Sequence, residues 1–92
     1  MNDSVLLNML KVDLGITSTA YDERLSQYLE NAKAQIVREG VSDLDTSSSL
    51  DDAQLVIMYA AWTWNKRDSD GQMPRMLRWS LNNRVFGLKA RG

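Results

Sequence analysis

From Leu55 to Trp64 the chain reads Leu-Val-Ile-Met-Tyr-Ala-Ala-Trp-Thr-Trp, with Thr63 its only small polar side chain. At about 100° per residue, a helix built on that run turns apolar side chains to every side. A helix that is apolar all round must be covered all round. A chain of 92 residues has few other helices with which to cover it. The run therefore demands either a tight bundle or a subunit that completes its core by association. It closes on Asn65-Lys66-Arg67, passes through the acidic stretch Asp68-Ser69-Asp70-Gly71, and leads into Met73-Pro74-Arg75-Met76-Leu77.

The length fits a single domain, residues 1–92, that buries only about 60–65% of its unfolded surface. Asp51-Asp52 and Lys66-Arg67 bracket the apolar run too closely for a membrane span, which needs about 20 apolar residues. Met1-Asn2-Asp3-Ser4 lacks a basic region and a signal-type cleavage site, so no export signal is expected. There is no cysteine and no histidine. Catalytic triads, thiol chemistry and zinc sites of the usual ligands are excluded. Scattered glycines make no phosphate-cradling loop. The pairs Asp22-Glu23 and Asp51-Asp52 sit where first helical turns are expected, and helix dipoles account for them there. We expect no enzyme, no cofactor and no metal.

Four helices are legible and no strand is. The first spans about Ser4 to Leu14, with Asp3 or Ser4 as N-cap, Val5, Leu6, Met9 and Leu10 as its apolar stripe, and Gly15 as its stop. The second spans about Ala20 to Glu39. Its Tyr21, Leu25, Tyr28, Leu29, Ala32 and Ile36 form one continuous face, Thr19 and Asp22 have capping-box spacing, and Gly40 ends it. Val41 to Ser49 is a turn-rich connector, with an interaction loop as the alternative. Ser49 with Asp52 caps the third helix, about Leu50 to Arg67, in which Ile57, Ala60, Ala61 and Trp64 should face the tightest packing. The fourth begins near Pro74 and runs to about Phe86, with Gly87 as its end. The expected fold is all-α, a compact four-helix bundle-like domain with a mobile C-terminal tail over residues 87–92.

The fourth helix carries two apolar faces. Met73, Leu77, Leu81, Val85 and the following Leu88 line one, and Trp79 and Phe86 lie roughly opposite. Either Phe86 lies past the helix and folds back, or Trp79 and Phe86 meet a neighbouring subunit, since aromatics are enriched in interface cores. Charge is divided as well. Residues 1–70 hold all 12 acids and 6 basic residues, a balance of −6; residues 71–92 hold 5 basic residues and no acid, a balance of +5. That basic segment either complements the last helix dipole or meets an acidic partner or nucleic acid. In a DNA-binding reading, Arg75, Arg78 and Asn82 share a face of the fourth helix, with Asn83 and Arg84 following. The Asp68–Met73 connector is long and acidic for a helix-turn-helix, and Trp79 sits awkwardly in a groove-facing helix.

The order and spacing of several segments resemble one family, the small phage head–tail connector or adaptor proteins that form a ring beneath the portal. The segments are Leu10-Lys11-Val12-Asp13-Leu14-Gly15-Ile16, then Tyr21-Asp22-Glu23-Arg24-Leu25 opening a long helix through Ala32 and Ile36 to Gly40. They continue with Trp62-Thr63-Trp64-Asn65-Lys66-Arg67, the Asp-Gly loop and Met73-Pro74-Arg75-Met76-Leu77. The Trp pair stands where tyrosine is common in the family. The resemblance implies a helical protomer in a ring of about a dozen copies around a DNA channel, at most in non-specific contact with that DNA. It implies joining of the portal to the next connector or tail protein after genome packaging. It places the protein in the virion after synthesis in the host cytoplasm, and gives it no catalysis and no membrane. Family C-termini reach toward the portal, which makes Leu88, Lys89 and Arg91 the docking candidates. Trp79 and Phe86 are the subunit-interface candidates, and the DNA-contact alternative rests on Arg75, Arg78 and Asn82.

Overall fold

The computed structural model describes residues 2–67 and 71–91, the last four of these in backbone only. Four helices follow one another: α1 (Asp3–Leu14), α2 (Asp22–Arg38), α3 (Leu50–Asn65) and α4 (Arg75–Arg91). No strand occurs among the described residues. The fold is the expected all-α, four-helix bundle-like domain.

The helix ends show how local chemistry sets the frame. Asn2 caps α1, its side-chain oxygen accepting the Val5 N–H at 2.9 Å. Asp3 and Ser4, the expected caps, lie inside the helix instead, because the preceding Asn2 is an equally good acceptor. Gly15, at φ 72°, closes α1: its N–H reaches Val12 O, and Ile16 N–H reaches back to Lys11 O. The same arrangement ends α2. Gly40, at φ 122°, donates to Val37 O, and Val41 N–H donates to Ile36 O. Val41 and Ile36 are both fully buried, so this turn is anchored in the core.

The capping box expected at Thr19 and Asp22 does not form. Tyr21 occupies the N-cap position without a side-chain cap bond. The Asp22 carboxylate accepts from Lys11 Nζ at 2.7 Å instead, tying the start of α2 to α1. Ser49 does cap α3, its hydroxyl accepting the Asp52 N–H at 3.2 Å.

α3 is the central element and packs against all three other helices. Its buried residues include Ala53, Leu55, Val56, Ile57, Tyr59, Ala60, Ala61 and Trp64. The apolar run is thus covered largely within one chain, and Ile57, Ala60, Ala61 and Trp64 are core residues as expected. Leu6 and Leu10 come in from α1, Leu25, Leu29, Ala32 and Ile36 from α2, and Leu77 and Leu81 from α4. Val5, expected on the inner stripe of α1, lies at its exposed edge, because Leu6 and Leu10 set the inward direction. Trp64 is held edge-on by Tyr21 and Tyr28, with the Arg67 guanidinium over its ring. Trp62 stacks edge-on with Tyr59, carries Lys66 over its ring, and donates its indole N–H to Gln72 O at 3.1 Å. That bond holds the chain on its way into α4.

α4 does not stop at Gly87. It continues through Arg91, so residues 87–91 are helical in backbone. Leu88, Lys89, Ala90 and Arg91 are all good helix formers, and one glycine costs a helix only about 1 kcal/mol.

Candidate functional site

The position of α4 depends on polar contacts that its sequence pattern does not announce. Leu77 and Leu81 are buried, and Met73 and Val85 pack partly buried against the core. Val85 lies over Gly40, where an added Cβ would stand 3.2 Å from Val85 Cγ1. Beside it Arg84 reaches across to the α2–α3 turn. Its Nε donates to Asp52 Oδ1 at 2.8 Å, and its Nη2 donates to Asp52 Oδ2 at 3.1 Å and to Asp43 Oδ1 at 2.8 Å. The Asp52 side chain is 3% exposed and that of Arg84 20%.

The second Asp52 oxygen also accepts the Asp45 N–H at 2.9 Å. Burial pushes the Asp52 carboxyl up, but the bonds from Arg84 and Asp45 N–H and the charge of Arg84 outweigh it and hold the group below its ordinary value. Asp45 in turn accepts the hydroxyl and backbone N–H of both Ser47 and Ser48, which hold its carboxyl well below the carboxylate range. The connector over Val41 to Ser49 is therefore a built turn. On the other flank of α4, Arg78 Nη1 pairs with Glu39 Oε2 at 3.0 Å. Nearby, burial pushes the Tyr59 hydroxyl up, helped by the charge of Glu39.

With its inner face so fixed, α4 presents the opposite face to solvent. Met76, Trp79 and Phe86 are 65%, 65% and 72% exposed. Phe86 does not fold back; it sits within the helix and points away from the core, as Trp79 does. Of the three residues expected to contact DNA, Arg75 and Asn82 are exposed, while Arg78 is engaged by Glu39. Arg84 is committed to Asp52 and Asp43. The side chains of Leu88, Lys89 and Arg91 lie outside the described residues.

A groove of about 550 Å³ opens between α1 and α3, lined by Val5, Met9, Val12, Ile57 and Met58, with Asn8, Asp13 and Gln54 at its rim. A second depression between α3 and α4 is lined by Leu55, Met58 and Trp79 together with the polar side chains of Asp51, Asp52, Ser80, Asn83 and Arg84. Gln54 and Met58 line both, so the two depressions adjoin along α3. The α1 side of the groove was not foreseen from sequence. Val5 and Val12, two turns apart and off the Leu6–Leu10 line, were the available signal.

Among the described residues no group of three acidic side chains could hold a metal ion, and no helix is long and apolar enough to cross a membrane. Asp52, the buried carboxylate, is occupied by Arg84 and Asp45 as an acceptor. Compared with family models, with curated proteins and with solved structures, the chain matches none.

Proposed function

We propose that the chain is a structural subunit of a phage particle: a head–tail connector that assembles with copies of itself into a ring beneath the portal and joins it to the next connector or tail protein. The observation that carries this reading is the apolar groove between α1 and α3 together with the outward aromatics Trp79 and Phe86. The monomer core is complete without them, so their burial awaits a partner. Large contiguous exposed apolar surface marks interaction sites. The resemblance in the order of segments along the chain supplies the identity of the partners. It also assigns the last turn of α4, with Leu88, Lys89 and Arg91, to the portal.

The ion pairs of α4 argue against the DNA-binding alternative. With Arg78 held by Glu39 and Arg84 by Asp52 and Asp43, two of the arginines of α4 are drawn toward the protein's own acids, and Arg75, Asn82 and Asn83 are left on its exposed surface.

The test is capture by portal-bearing heads. The wild type should bind them. Trp79→Ser with Phe86→Ser should abolish self-assembly and leave helical circular dichroism unchanged, because both side chains are exposed. Sequence-specific DNA binding at physiological salt, with no capture by heads, would overturn the proposal in favour of a regulator.

A further inference from the structure

Resting on the reading that the chain assembles with itself, we infer that the contact is heterologous: the outer aromatic ridge of α4 on one copy seats in the α1–α3 groove of the next. Three observations meet here. The groove is open and mostly apolar, walled by Val5, Met9 and Val12 of α1 and by Ile57 and Met58 of α3. The ridge of Met76, Trp79 and Phe86 is a largely exposed face of α4. A helix laid in an apolar groove is a recurring recognition mode.

The charges beside the two surfaces are opposite. Asp13 stands at the groove rim and Arg75 beside the ridge, and neither has an ion-pair partner among the described residues. The same opposition runs through the whole chain, with a balance of −6 before residue 71 and +5 after it.

Ridge and groove are made of different residues, Met76, Trp79 and Phe86 of α4 for one and Val5, Met9, Val12, Ile57 and Met58 for the other. A contact between such surfaces repeats from copy to copy and either closes as a ring or continues as a filament, whereas a two-fold contact joins one patch to itself. Met58 lines both the groove and the depression beside Trp79, so a docked α4 would lie next to the resident one. Successive copies would thus build a continuous helical wall.

The absence of cysteine in the chain makes a direct test available. A full-length variant carrying both Asp13→Cys and Arg75→Cys, its helicity checked by circular dichroism, is oxidised and run without reductant. A ladder of trimers and higher species is expected. A band that stops at dimer would overturn the heterologous geometry in favour of a two-fold one. Monomer alone, internally bridged or not, would overturn self-docking through these surfaces.

A second arm uses exposed positions whose change leaves the core intact. Val12→Glu spoils the groove and Phe86→Ser the ridge. Each variant alone should self-associate several-fold more weakly than the wild type in light scattering. Their mixture should form heterodimers through the one intact ridge and groove, and no heterodimer would refute the pairing. Capture by portal-bearing heads is read separately. A protein that ladders but is not captured removes the connector reading and keeps this one. A protein that is captured but does not ladder does the reverse.

Discussion

Replacing Arg84 by Met, which keeps the aliphatic stem and removes the guanidinium, leaves the Asp52 carboxylate 3% exposed with the Asp45 N–H as its remaining donor among the three that now reach it. Breaking a fully buried pair costs about 3–5 kcal/mol. Here Arg84 is one-fifth exposed and its second partner, Asp43, is nearly half exposed, so water reaches the rim of the site. We expect a loss of about 2–3 kcal/mol. In a domain of this size, that lowers the melting temperature by about 10–20 °C. Asp52→Asn keeps the shape and one acceptor and should cost about 1–2 kcal/mol. The double variant no longer strands a charge. Its cost should fall short of the sum by about 1–2 kcal/mol in a thermal or urea double-mutant cycle. Additivity within about 0.5 kcal/mol would refute the reasoning, because it would mean that the two groups do not depend on each other. Acid titration supplies the second readout. The folded state holds the Asp52 carboxyl below its unfolded value, so its contribution is complete above that value and disappears as pH falls through the folded one. The wild type should lose stability below about pH 4, and Arg84→Met should flatten that limb.

Two further outcomes test the packing. Ala61→Leu should overpack the centre of α3 and cost about 1–3 kcal/mol, read as a lower melting temperature; melting with the wild type would place Ala61 away from any tight contact. Gly40→Ala meets both a φ of 122° and Val85 Cγ1 at 3.2 Å, so it should cost about 1–3 kcal/mol, and an unchanged urea midpoint would deny that the turn needs glycine.

Four helices and most of the core were readable from periodicity, because the apolar spacing of α2 and α4 and the density of α3 leave one consistent inward direction. The Leu77–Leu81–Val85 line and its outward counterpart, Trp79 and Phe86, follow from that spacing alone. What was missed depends on groups distant in sequence. The Thr19–Asp22 cap fails because Lys11, eleven residues before Asp22, claims the carboxylate. Asp52 resembles an ordinary first-turn acid until Arg84, 32 residues later, turns out to be its partner. The α1–α3 groove is likewise a property of two helices together: Val5 and Val12 mark an apolar edge on α1, but the groove exists only because Ile57 and Met58 lie beside them. Gly87 misled for a local reason, since a glycine stops a helix only when the residues after it favour leaving.

The three tryptophans occupy three different surroundings, and the molecule therefore carries its own optical labels. Trp64, enclosed by Tyr21 and Tyr28 beneath Arg67, emits from the interior. Trp62 emits from a half-covered site under Lys66. Trp79 emits from solvent on the outer face of α4. Unfolding draws the emission of Trp64 to the red, whereas covering the α4 face draws that of Trp79 to the blue. One fluorescence spectrum thus separates loss of the fold from engagement of the surface, with no dye attached.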